Sequence, residues 1–164
     1  MSSGLAAFTL FHVALSLVGI LGGFVVVFGL IAGKRLNGWT ALFLATTAAT
    51  SLTGFLFPYH GFKPSCGVGI ISLLVLAIAS FALYGRGLAG AWRRTHVISA
   101  VISLYLNVFV LIAQLFMKVP TLKALAPTQS EPPFLVTQVV VMVVFIALGF
   151  LAGKRFPAEA AHAA

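Results

Sequence analysis

Five apolar runs, 7–33, 39–57, 68–85, 96–119 and 134–153, are each long enough as helices to cross a bilayer. The hydrocarbon core is about 30 Å thick and takes roughly 20 helical residues. Backbone polar groups inside it must be satisfied within the chain, which leaves only helices or a closed barrel. These runs are continuous and do not alternate, so helices are expected. The connections KRLNG, PYHGFKPSCG, RGLAGAWRRT and PTLKALAPTQSEPP are short. The sequence therefore reads as an all-α, polytopic membrane bundle of five transmembrane helices. It forms a single domain over 1–156 with a short cytoplasmic tail, 157–164.

Composition narrows the class further. Of 164 residues, 61% are hydrophobic and only 7% charged, against about a quarter charged in soluble domains. The net charge of +8 raises the question of nucleic acid. Lys and Arg, however, stand in short clusters at the ends of apolar runs and form no basic stripe, so the lipid bilayer is the expected partner. Cys66 is the only cysteine, which excludes an intramolecular disulfide. The start, MSSGLAAFTLF, lacks the basic region of a cleavable signal peptide and reads as part of the first helix.

Basic residues in short loops set orientation. Lys34, Arg35, Arg86, Arg93, Arg94, Lys154 and Arg155 fall on one side, against Lys63, Lys118 and Lys123 on the other. This places the N-terminus outside and the C-terminus in the cytoplasm. Trp39, Tyr84 and Trp92 fall at the same cytoplasmic interface, where amphipathic rings concentrate. Two near-copies, GLIAGKRL at 29–36 and GFLAGKRF at 149–156, end the first and last runs. They read as parallel helices leaving one face by the same means: glycines for close packing, which could also serve a homo-oligomer or a membrane-complex partner, then a basic anchor. Upstream, LFHVALSLVGILGG and FLVTQVVVMVVFIA share only hydrophobicity, so convergence is favoured over duplication. Before the last run, Pro120 should end the fourth helix and Pro132 and Pro133 suit the first turn of the fifth. Thr128 and Glu131 stand at capping-box spacing.

The fourth run carries His96, Ser99, Ser103, Asn107, Gln114 and Lys118 at steps of three and four, with Val110 as the one apolar step. At about 100° and 1.5 Å per residue they occupy an arc of roughly 100° and span about 33 Å. Polar side chains are costly in lipid, so this stripe should face the other helices or a wet cavity. The first run answers with Thr9, His12, Ser16, Gly19 and Gly23, and the second with TTAATSLTG. Helical rise places His12, Thr53, Ser72, Gln114 and Gln138 about one turn below the outer surface. The candidate ligand-binding residues are therefore His12, Ser16, Asn107, Gln114 and Gln138. A second polar cluster at the inner face comprises His96, Ser99 and Tyr84, with Ser80 nearby. The alternative is that all of these only bond helix to helix, each contributing well under about 2 kcal/mol.

Little catalytic chemistry is available. Glu131 and Glu159 are the only acids and lie on opposite sides, so paired-carboxylate catalysis is excluded and no catalytic residue is assigned. No acid falls within a span, which weakens ion-coupled transport. His12, His60 and Cys66 are outer-side metal candidates without ligand-motif spacing. Histidines on two helices suggest haem b, but His12 and His96 are roughly 25 Å apart along the membrane normal by helical rise. One iron cannot take both. The expected function is that of a small hydrophobic-ligand binder or an accessory subunit of a membrane complex, without a cofactor. The alternative is a redox protein holding haem b or a quinone through His12.

The layout resembles small bacterial inner-membrane proteins classed as domains of unknown function. The features in common are a His early in the first helix, Lys-Arg at its exit and a basic lead-in with His, here WRRTH, to the fourth. It departs from them before the second helix, where LNGW stands in place of a His-Arg pair. The resemblance implies a bacterial inner-membrane location and no particular activity.

Overall fold

The computed structural model describes residues 3–58 and 64–158, with helices, connecting turns and no strand among them. The elements are α1 (Ser3–Ile31), α2 (Asn37–Gly54), α3 (Pro64–Ser80), α4 (Trp92–Lys118), the short α5 (Pro120–Leu125) and α6 (Pro132–Arg155). A π turn, Phe81–Gly85, prolongs α3. The long helices begin a few residues before the apolar runs, because a helix continues through the interface that hydropathy does not register. At α4 this takes in Arg93 and Arg94.

Four helices, α1, α3 with its π turn, α4 and α6, are long and apolar enough to cross a membrane. The fifth long helix, α2, has 18 residues but carries Asn37 and the threonines 40, 46, 47, 50 and 53. Most of these hydroxyls are bonded within the helix itself. Thr40, Thr46, Thr50 and Thr53 each donate to the carbonyl four residues back, at 2.7–2.8 Å. Such back-bonding satisfies a hydroxyl without a second helix. Thr47, fully buried, instead accepts from Asn107 Nδ2 of α4 at 3.1 Å.

Contacts at the helix ends show an up-and-down bundle. The start of α1 meets the end of α2 through His12 and Thr53, and the end of α4 meets the start of α6 through the rings of Phe116 and Phe134. At the opposite end, Ala79 of α3 meets His96 of α4, and Arg93 donates to the carbonyl of Phe156 just after α6. Lys34, Arg35, Arg86, Arg93, Arg94, Lys154 and Arg155 therefore share one end with Trp39, Tyr84 and Trp92. Lys118 and Lys123 lie at the other, and Lys63 is outside the described residues.

The two near-copies behave differently. In GLIAGKRL the second glycine ends the helix: Gly33 has φ 71°, its N–H donates to Leu30, and Lys34 N–H donates to Gly29 at 2.8 Å. This is a Schellman stop. In GFLAGKRF the helix runs on through Gly153 to Arg155. A Cβ at Gly29 would lie 2.6 Å from Leu36, whereas one at Gly153 would meet nothing within 4 Å. The expectation of one exit solution used twice is corrected: the copies share a face, and Gly33 packs beside the Arg155 carbonyl. One is a stop and the other an open helix face.

Two local features stand apart from the regular helices. Leu88, with φ 61°, is a branched residue in left-handed backbone, and it is held there by burial at 1% exposure. The Thr128–Glu131 pair forms, with the Glu131 carboxylate accepting from Thr128 N–H at 3.1 Å and Thr128 Oγ1 at 2.8 Å. Helix α6 nevertheless starts only at Pro132, so the pair closes a turn ahead of the helix. A slight loss of hydration raises the Glu131 pKa, but the hydrogen bonds from Thr128 and Ser130 outweigh it and hold the carboxyl below its ordinary range.

The core runs between α1, α2 and α4 around Val26, Val27, Phe43, Val97 and Leu104. Gly23 is its tightest point: a Cβ there would lie 2.6 Å from Leu104 and 2.8 Å from the Phe43 ring, both fully buried. Gly23→Ala should therefore lower thermal stability in detergent by about 1–3 kcal/mol. Gly38→Ala, whose Cβ would meet nothing within 4 Å, should be neutral or slightly stabilising. Equal effects would contradict this packing.

Candidate functional site

His12 is placed by the α1–α2 contact. Thr53 has one hydroxyl proton and two backbone acceptors, Ala49 at 2.7 Å and Thr50 at 3.1 Å. The 2.8 Å contact between His12 Nδ1 and Thr53 Oγ1 is therefore a donation from the ring. In the neutral imidazole this fixes the proton on Nδ1 and leaves Nε2, on the far edge of the ring, as a lone-pair acceptor. Phe57 packs edge-on against the imidazole, ring centroids 5.1 Å apart, and Phe8 packs on Phe57 at 4.9 Å.

Two cavities share this histidine. The smaller, about 130 Å³, lies among α1, α2, α3 and α4 and is lined by His12, Ser16, Thr50, Ser51, Cys66, Ser72, Asn107 and Gln114. The hydroxyl of Ser72 is buried there, 3% exposed, and finds no protein partner among the described residues. The larger, about 380 Å³, opens between α1 and α4. Its lining combines the polar Thr9, His12, Ser16, Gln114 and Lys118 with the apolar Val13, Leu17, Phe57, Leu111 and Leu115. Its volume lies in the range of small-molecule sites, whereas the inner one holds little more than a few water-sized groups.

The structure thus brings together His12, Ser16, Asn107 and Gln114, with Thr53 and Ser72 of the expected outer layer. Gln138 is not among them. It is buried against another face of α4, donating to the Phe109 carbonyl at 3.1 Å. Helical rise fixes depth along the normal but not the direction around the bundle, and Gln138 shares only the depth. Cys66 is a free, half-buried thiol on the inner cavity, and His60 lies outside the described residues. No three His, Cys, Asp or Glu gather as a metal set among the described residues. The contributions of Ser65 and Gly69 from α3 had no sequence signal.

The inner cluster is partly assembled. His96 is 2% exposed and donates from Nδ1 to the Ala79 carbonyl at 2.9 Å, just ahead of the π turn. Ser99 is buried on the same face, and its carbonyl accepts from Ser103. Tyr84 is 65% exposed and turns outward, so it does not join them. The π turn, with its extra residue per turn, redirects this part of the chain. His96 lines neither of the cavities at His12, and the two histidines lie at opposite ends of the bundle.

Comparison with protein-family models, curated proteins and solved structures gave no match, so the reading rests on the site's own chemistry.

Thr53→Val should break the bond to His12 and lower stability by about 0.6 kcal/mol, and by no more than about 1.7. Thr53→Ser should restore it. Thermal unfolding in detergent checks this, and a Thr53→Val protein indistinguishable from wild type would remove the anchor assigned to His12.

Proposed function

We propose that the chain is a five-span protein of the bacterial inner membrane, N-terminus outside, that holds a small amphipathic molecule in its outer half. The observation that carries this is His12 on the shared wall of the two cavities. Gln114 and Lys118 line the same α1–α4 cleft as this histidine, together with the apolar Val13, Leu17, Leu111 and Leu115. A ligand fitting this pattern offers a hydroxyl or carboxyl head: it donates to the imidazole, accepts from Lys118 or Gln114, and lays a short apolar body on Leu17, Leu111 and Leu115. The buried Ser72 hydroxyl supports a polar group reaching the inner cavity.

Orientation follows from the basic end. Seven described Lys and Arg residues cluster there with Trp39, Tyr84 and Trp92, which suits a cytoplasmic face. The role in the cell is that of a binder, or of an accessory subunit that presents such a ligand to a membrane complex. A redox reading uses the same nitrogen, since a haem iron or a quinol hydroxyl would also take the Nε2 lone pair. The absence of an acidic residue from the spans keeps ion-coupled transport behind both.

Native mass spectrometry of the detergent-purified chain separates these readings. Wild type should retain a small amphiphile that His12→Ala loses, with no Soret band and no iron. A Soret band that disappears in His12→Ala would replace the binder with the haem protein. An identical set of adducts on wild type and His12→Ala would overturn the site.

A further inference from the structure

A cavity larger than either of those at His12 lies on the outside of the bundle. A groove of about 820 Å³ runs along the outside of the bundle between α4 and α6. Ile98, Ile102, Phe145, Ile146 and Phe150 supply much of its wall. Its floor is open because Gly149 and Gly153 lack side chains: a Cβ at Gly149 would only touch Val101 at 3.5 Å, and one at Gly153 would touch nothing. At the basic end the groove finishes on two exposed cations, Arg94 of α4 and Lys154 of α6.

We propose that this groove holds one anionic phospholipid from the leaflet at the basic end, its phosphate on Arg94 and Lys154 and an acyl chain over Gly153 and Gly149. Charge complementarity selects the occupant. A purely apolar partner would leave two cations at the membrane surface unanswered. A second copy of this chain brings ten Lys and Arg and only two acids, of which Glu131 lies at the opposite end. A phospholipid supplies both parts at the right depth, an anion at the interface and hydrocarbon below it. Basic recesses between membrane helices are suited to such headgroups, and Arg meets phosphate with two parallel N–H donors. The groove also gives the GFLAGKRF copy a role distinct from that of GLIAGKRL, whose glycines are closed by Leu36 and by the helix stop.

The proposal rests on the chain lying in a membrane, and it is independent of the His12 ligand. The test is native mass spectrometry of the full chain from nanodiscs of phosphatidylglycerol mixed with phosphatidylcholine. Wild type should retain phosphatidylglycerol preferentially. Arg94→Gln with Lys154→Gln should weaken that retention about thirtyfold, since each cation near a membrane surface adds about fivefold. Gly153→Leu, which fills open space and favours the helix, should reduce retention of either lipid while the fold stays intact. His12→Ala should retain phosphatidylglycerol as wild type does, so that failure of the outer site and of this groove are told apart. An unchanged phosphatidylglycerol preference in the double variant would overturn the proposal, as would a dimer cross-linked across α4 and α6 in the same nanodiscs.

Discussion

The bundle depends on how α2 disposes of its hydroxyl groups. A helix with this much threonine would be expensive beside lipid if each hydroxyl needed water or another helix. Thr40, Thr46, Thr50 and Thr53 avoid that cost by donating to the carbonyl one turn back. Thr47 and Thr53 are then positions where α2 bonds outward, to Asn107 at the centre of α4's polar face and to His12 of α1. The contact with Asn107 ties α2 to α4, and α1 packs against both, with Gly19 and Gly22 against Thr46, Thr47 and Phe43 and Gly23 against Leu104 and Phe43. A polar seam thus lies inside an apolar bundle with most of its groups already paired.

The seam is not uniform along its length. Toward the basic end, Ser103 and His96 are buried and bonded to the carbonyls of Ser99 and Ala79, which suits a structural role. Toward the other end it opens into cavities, and His12 carries a ring nitrogen that its anchor on Thr53 does not use. The same chemical resources therefore give a closed lock at one end and a receptive pocket at the other. The outside of the bundle adds the groove over Gly149 and Gly153, so the ligands inferred for this chain lie on different faces of α4.

Much of this was legible in the residues. The three-and-four spacing of His96, Ser99, Ser103, Asn107 and Gln114 specified one face of a helix, and the cost of polar groups in lipid turned that face inward. Depth put His12 and Thr53 in one layer, and the structure supplies their pairing. Gln138 shows where the method stops, because depth says nothing about which neighbour an azimuth selects. Hydropathy sets α2 apart from the other four long helices, as it counts a threonine as polar whether or not its hydroxyl is already bonded. Nothing in GRGLAGAW signalled that Leu88, and not only Gly87 and Gly90, would take positive φ; tertiary burial imposes it. The likeness of GLIAGKRL and GFLAGKRF was real for the face they share and misleading for their local roles, which Leu36 and Phe156 decide from outside the repeated letters.

The position of α2 is the central claim, because a helix lying outside the bilayer would leave four spans and place both chain ends on one side. Ala45 is an exposed position midway along α2, and a spin label can be attached there through a cysteine in a Cys66→Ser chain reconstituted in liposomes. If α2 crosses the membrane, the label relaxes with dissolved oxygen and is shielded from a water-soluble nickel chelate. Relaxation by the chelate at this mid-helix site would show α2 in water and contradict the five-helix bundle.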